Sequence, residues 1–406
     1  MLTLAEARTA ILAAVRPVGT EETALAESLG RVAAGDLVAG RGLPLFDRSA
    51  MDGYALRSAD TAGAAREKPA TLRVVGMLPA GGRWENSLER GQALRILTGA
   101  PLPPGADGVE IQEAVDRDGE QVRLHRFVPA GANVVPAASE VAAGSVLLPG
   151  GAVLIPPALS LLAAERQSKI RVYRRPRVAV FSTGDELAPP GVEPGPGRIP
   201  DQNGITLVSL VWEAGAEVAF LGIAPDDPSA VAHFLRQAAG YDLVVSSGGV
   251  SVGDRDHLPA VLEQLGAAVV FRGVRMRPGR ACLGAVLNGA PVLALSGNPG
   301  ASYLGFQLLG RPLLRKLGGH RHLFRPVCRV RLAQGYPKPS PHQRFLRAKL
   351  VETVDGYLAH LEKGQGSADM VSFLGANALA VLPAGSGPLE AGAQVEAIRL
   401  DMAENN

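Results

Sequence analysis

Four short segments concentrate the residue types that do chemistry. The richest is SSGGVSVGDRD, residues 246–256. Gly248, Gly249 and Gly253 let backbone approach a ligand, and Ser246, Ser247 and Ser251 add hydroxyl donors. Asp254 and Asp256 bring carboxylates to the same loop, where a metal ion could bridge carboxylate and phosphate. The bland alternative is a merely flexible loop. A second segment, Ser182-Thr183-Gly184-Asp185-Glu186, pairs anion donors with two acids suited to a hard cation such as Mg²⁺; a solvated turn would look the same. In the third, Asp227 precedes Pro228 as a helix cap does, which leaves Asp226 for a metal or a substrate. The fourth is Ser296-Gly297-Asn298-Pro299-Gly300. Shortly before it stand Arg272, Arg275, Arg277 and Arg280. Arg277 and Arg280, flanking Pro278-Gly279, are the better oxyanion forks, and the other two read as a solvated basic turn. Together these segments suit metal-assisted chemistry on a phosphorylated substrate, in which positioning and charge stabilisation do most of the work. There is no GxSxG and no P-loop, and His257 and the other histidines stand in no partner motif.

All four segments follow apolar runs. From residue 175 onward, runs such as RVAVF, AEVAFLGIA, DLVVSS and PVLALS alternate with helical patterns at 205–214, 228–239, 258–265 and 301–317. That alternation predicts a parallel sheet with helices on both faces, whose ligands bind beyond the carboxyl ends of the strands. Upstream, apolar spacing predicts helices over 4–15 and 21–29. Short alternating runs predict a small β-rich block over 71–134, closed by a turn, a strand and a helix within 147–167. A second β-rich block runs from about residue 326 to the end. The fold class expected is multidomain α/β plus β.

The 406 residues suit roughly two to four domains. With 41 Lys and Arg against 39 Asp and Glu, and aromatics at 4%, the chain has neither the field nor the stacking platforms of a nucleic-acid binder. Its two cysteines, Cys282 and Cys328, form no CxxC or Cys/His ligand spacing. No run approaches the ~18 apolar residues of a membrane span. The start lacks a secretory pattern, so no membrane and a cytoplasmic location are expected.

Several motifs in one order resemble a known family. LPLFDRSAMDGYALR (43–57), ILTGAPLPPGADGV (96–109), FSTGDEL, IPDQNG (199–204), SSGGVSVGDRD and SGNPGAS, then RFLRAKL and GQGSADM (364–370), are similar to the MoeA-type molybdopterin molybdenumtransferases, which include the E domain of gephyrin. The resemblance implies a molybdopterin-binding-like α/β domain at 175–325. It also implies a linker domain at 1–44 with 137–174, a small β-rich domain at 45–136, and a C-terminal β-rich domain at 326–406. It implies an elongated homodimer, with the α/β domain of one subunit facing the N-terminal and β domains of the other. The implied substrates are adenylylated molybdopterin and molybdate, with Mg²⁺. The adenylate is cleaved, AMP leaves, and molybdenum enters the dithiolene. Contact with molybdopterin adenylyltransferase and with molybdoenzyme chaperones also follows.

Carried over by motif, Asp52, Thr98, Glu186, Asp226 and Asp256 are the catalytic candidates. Asp185, Glu186, Asp226 and Asp256 would serve the cation. Ser182, Thr183, Gly184, Ser247, Gly248, Gly249 and Ser251 would hold substrate, together with Arg277, Arg280, Asn298, Pro299, Arg347 and Ser367. Asp52 could instead only brace the turn before Gly53, and Thr98 only cap a strand end. The chain departs from the family pattern at Arg277, Arg280 and Gly273, where lysines are usual, and at Ala281 and Ser296, where prolines are. Residues 134–140 (VVPAASE) also lack the usual arginines. The alternatives are a paralogue handling tungstate and a non-catalytic molybdopterin-binding or scaffold protein; the retained acids favour the enzyme.

Overall fold

The computed structural model describes residues 1–250 and 256–402, so Ser251 and Asp254 lie outside the described residues. The chain forms two compact units. One comprises Met1–Gly35, Gly150–Ile155 and Lys169–Asn406, and the other Asp36–Pro149 and Pro156–Ser168.

In the first unit, Thr3 starts the helix Leu4–Ala13 through a capping box: its Oγ1 accepts from Glu6 N at 3.2 Å, and the Glu6 carboxylate accepts from Thr3 N at 2.7 Å. Leu4, Ala7, Ile11 and Leu12 bury one stripe of this helix. The helix expected over 21–29 is not formed. Thr20–Ala24 is a strand, paired antiparallel with Lys169–Tyr173, and only Leu25–Glu27 makes a 3₁₀ turn. This segment buries no apolar stripe of its own, so cross-strand pairing with a distant partner overrides the helix propensity of Glu, Ala and Leu.

The central sheet has six strands, in the order Glu217–Ala224, Arg177–Thr183, Leu243–Ser247, Ala290–Leu295, Leu283–Leu287 and Ala268–Arg272. The first four are parallel, as the alternation predicts. The other two extend the sheet antiparallel, a feature the sequence reading did not include. Its cause is local: Asn288 and Gly289 both have positive φ, 50° and 84°, which turns the chain tightly back instead of through a crossover helix. Strand Arg177–Thr183 is buried from Val178 onward, as a strand covered on both faces must be. Val178 and Val180 join the core beneath the N-terminal helix and Gln202–Glu213, while Ala179 and Phe181 face Pro228–Gln237 and Leu258–Gln264. Asp227 does cap Pro228–Gln237, its carboxylate accepting from Ala230 N at 2.9 Å.

The C-terminal strands close on themselves. Gln343–Thr353 pairs with Gly356–Leu361 along one half and with Ala378–Leu382 along the other, and Val327–Leu332 and Gln394–Arg399 complete the ring. Leu332, Leu346, Ala359 and Ala397 fill its interior.

The second unit is built on another six-stranded sheet, ordered Gly108–Ile111, Gly53–Leu56, Gln92–Ile96, Ala70–Leu78, Gln121–Leu124 and Val115–Asp118. Gly53–Leu56 is wholly buried, with Tyr54 and Leu56 in one cluster and Ala55 in the opposite one.

Candidate functional site

The carboxyl ends of the four parallel strands open into a cavity of 830 Å³. The first strand supplies Thr183, Gly184 and Glu186, and the second supplies Asp226. The third brings Ser247, Gly248, Gly249 and, further along, Asp256; the fourth brings Gly297, Asn298 and Pro299. Ten of the candidate residues therefore share one wall. The sheet order explains this: after Arg177–Thr183 the chain runs first to one neighbour and later to the other, so a crevice opens between the loops.

Glycine is required at the floor. Gly248 has φ 90°, and a Cβ there would lie 2.6 Å from Thr183 Oγ1 and 2.7 Å from the Thr183 carbonyl oxygen. At Gly184 a Cβ would sit 2.6 Å from the Glu186 carboxylate, which folds back over it. Asp185 and Asp226 clasp each other: Asp185 N donates to Asp226 Oδ2 at 3.4 Å, and Asp226 N donates to Asp185 Oδ1 at 3.2 Å. This reciprocal pair ties two strand-end loops together and keeps Asp226 on the wall.

The wall carries Glu186, Asp201, Asp226 and Asp256 but, among the described residues, no lysine or arginine. Among the described residues no three carboxylate, imidazole or thiol groups converge as metal ligands. This donor set does not make a protein-only cage. It does fit a cation held by one or two carboxylates and completed by substrate phosphates and water, the usual manner of Mg²⁺.

Other candidates lie elsewhere. Ser182 is fully buried in its strand and off the wall, because side chains alternate there and Thr183 faces the cavity. Arg277 and Arg280 are exposed on the segment leading to Ala281, which does line the cavity. Arg280 Nε reaches Met1 Sδ at 3.4 Å. Arg347 is fully buried and cannot touch a ligand in this arrangement. It holds the 364–372 loop, in which the Ser367 carbonyl accepts from Ala301 N at 2.9 Å and Ala368 meets the cavity. Sequence reading left Asp201, Asn203, Ala281 and Ala368 unassigned on the wall. For Asp201 the signal was present in IPDQNG: a Pro-led Asp capping a helix, Oδ1 accepting from Gly204 N at 2.9 Å.

Asp52 and Thr98 belong to the second unit and are bonded to each other. Thr98 Oγ1 and Thr98 N both donate to Asp52 Oδ1 at 2.7 Å. So Asp52 does brace its turn, yet its Oδ2 accepts no hydrogen bond among the described residues. The hydroxyl and then the backbone N–H of Thr98 hold the Asp52 carboxyl below the usual carboxylate range. The folded-state value is depressed, so this clasp contributes above the ordinary value of about 3.9 and is lost as pH falls through the lowered one. Thr98→Val is expected to move the Asp52 titration midpoint upward in a carboxyl NMR titration. An unmoved midpoint would remove the clasp as the cause. Nearby, residues 134–140 are tied to the 43–49 segment: Ala137 N donates to Asp47 Oδ1 at 2.7 Å, and Arg48 pairs with Glu140 at 2.9 Å.

No helix among the described residues is long and apolar enough to cross a membrane. Residues 2–165 match the MoeA N-terminal region (domain I and II), 179–316 a probable molybdopterin binding domain, and 329–400 the MoeA C-terminal region (domain IV). A molybdopterin molybdenumtransferase of Nostoc sp. is 38% identical over 388 residues, covering 94% of this chain and 89% of the relative. One of Bacillus subtilis is 37% identical over 385 residues, covering 93% and 89%. The solved molybdopterin biosynthesis MoeA protein from Pyrococcus horikosii superposes with a TM-score of 0.86 at 32% identity, covering 99% of this chain and all of that one.

Proposed function

Because this chain belongs to the MoeA family, we propose that it acts as a molybdopterin molybdenumtransferase in molybdenum cofactor biosynthesis, a transferase that places molybdenum on molybdopterin. In finer detail, it takes adenylylated molybdopterin and molybdate, cleaves the adenylate with release of AMP, and works as a cytoplasmic homodimer. The observation that carries the reading is the cavity itself, floored by Gly248 and Gly249 and walled by acids without a cationic side chain among the described residues. A polyanionic substrate in such a pocket needs a cation between its phosphates and the wall. Mg²⁺ would supply that neutralisation and polarise the phosphate oxygens when bound.

The chain's own residues do the rest. Gly248 and Gly249 let the backbone close on a phosphate, and Ser247 adds a hydroxyl donor. Glu186, Asp226 and Asp256 supply negative charge along one wall, which sets where the cation-bearing end of the substrate lies. Exposed Leu45, Phe46 and Met51 in the LPLFDRSAMDG motif support a further protein contact, as a homodimer requires. Contacts with the adenylyltransferase that supplies the substrate and with chaperones that receive the cofactor belong to the same reading, as does the four-domain division of the chain.

The test is direct. Supplied with adenylylated molybdopterin, molybdate and Mg²⁺, the protein is expected to release AMP and form active cofactor, and to do neither when Mg²⁺ is chelated. Ligand binding without AMP above background would instead favour the scaffold reading, which the arginine-free 134–140 segment supports. Replacing molybdate by tungstate in the same assay distinguishes the tungstate paralogue.

A further inference from the structure

We propose that Asn203 is a positioning residue whose amide turns the Ser247 hydroxyl outward, as a hydrogen-bond donor to an anionic oxygen of the bound substrate. Asn203 Nδ2 donates to Ser247 Oγ at 2.6 Å and to the Gly297 carbonyl at 2.8 Å. Both amide hydrogens are thereby used. The Gly297 carbonyl can only accept, so the reversed amide, with its oxygen there, is disfavoured. Ser247 Oγ thus receives a hydrogen from Asn203, and its own proton must go elsewhere. Among the described residues that hydroxyl donates to none, while Ser247 lines the cavity. Asn203 and Ser247 are 6% and 2% exposed, so water does not scramble this polarity.

The arrangement has a cost that marks it as more than packing. Asn203 Oδ1 is buried without a hydrogen-bond donor. In exchange, one amide joins the end of Leu243–Ser247 and the loop after Ala290–Leu295 to the start of Gln202–Glu213. The inference rests on the proposed function, since it takes the ligand to be phosphate-bearing.

Asn203→Asp keeps the size but can only accept. Its carboxylate would take the Ser247 proton for itself and repel the Gly297 carbonyl. Binding of adenylylated molybdopterin with Mg²⁺ would be measured by calorimetry for the wild type, N203D, S247A and the double variant, alongside KM, kcat and thermal midpoints. N203D is expected to weaken binding about tenfold, the size of one hydrogen bond to a charged group, and to raise KM more than it lowers kcat. In the S247A background the same change should cost clearly less, about threefold, because the hydroxyl it acts through is already gone and only the added charge and the Gly297 repulsion remain. Equal losses in both backgrounds, or unchanged binding by N203D, would overturn the proposal. Should N203D fail to fold, S247A alone decides: it should lose the same tenfold, and wild-type binding by S247A overturns the proposal. A wild type that does not bind at all overturns the proposed function, and this inference with it.

Discussion

Asp226→Asn is expected to lower AMP release by about two orders of magnitude at limiting Mg²⁺ without lowering stability. The substitution isolates charge from structure. Asp226 Oδ2 accepts from Asp185 N, and the amide oxygen of Asn can accept the same bond, while Asp226 N continues to donate to Asp185 Oδ1. What disappears is one of the four carboxylate charges on the cavity wall. Removing a like charge from beside Asp185 relieves repulsion, so the thermal midpoint should hold or rise. If Asp226 serves the cation, the Mg²⁺ concentration for half-maximal rate should rise by about 10–100-fold, and excess Mg²⁺ should recover part of the loss. Turnover within about twofold of the wild type at every Mg²⁺ concentration would remove Asp226 from the cation's surroundings.

Arg347→Ala has the largest expected effect on stability, about 3–5 kcal/mol in the unfolding of the C-terminal strands. The guanidinium is fully buried. Its Nε donates to Ser372 Oγ at 2.9 Å and its Nη2 to the Gly366 carbonyl at 2.6 Å, while the group stacks 4.8 Å from the Phe373 ring and lies 3.9 Å from the Asp369 carboxylate. Burial holds its pKa below the ordinary guanidinium value, and Asp369 beside it offsets part of that, as expected of a desolvated cation kept near an acid. Truncation leaves these acceptors unpaired and a cavity behind. Arg347→Lys should recover only part, because a point charge cannot serve the diverging acceptors of a planar fork. Because the loop it holds carries Ala368 to the cavity and the Ser367 carbonyl to Ala301 N, substrate binding should weaken along with the calorimetric transition. A loss below about 1 kcal/mol would show that the loop is held by other contacts.

Much of this was legible before folding because it is local. Asp227 before Pro228 announced a helix start, and the structure forms it. The glycines of SSGGV suggested a close approach to a ligand, whereas the neighbour that Gly248 has no room beside is Thr183. The apolar runs of the α/β domain predicted four parallel strands with their loops at one end, which is enough to place Glu186, Asp226, Asp256 and Asn298 on one wall. The two antiparallel strands were missed although Asn288-Gly289 signalled the tight turn from Leu283–Leu287 into Ala290–Leu295. The Thr20–Ala24 strand was missed because its partner is Lys169–Tyr173, far along the chain.

Residue types and their spacing by themselves determined the chemistry on offer: hydroxyls, close-approach glycines and acids at strand ends, with no nucleophile motif. Only the tertiary structure decided which of those groups act together. Ser247-Gly248-Gly249 became the cavity floor because its strand lies between two others, while Ser246 was buried on the opposite face, and Asn203 reached Ser247 and Gly297 across 44 and 94 residues of sequence. Arg347, in a segment that resembles a ligand-binding motif, faces out of the C-terminal ring and is buried there by the 364–372 loop and Phe373. The physical reason is the range of the forces. Turn and cap preferences are settled within a few residues, whereas burial and hydrogen-bond partnership depend on which distant strands become neighbours.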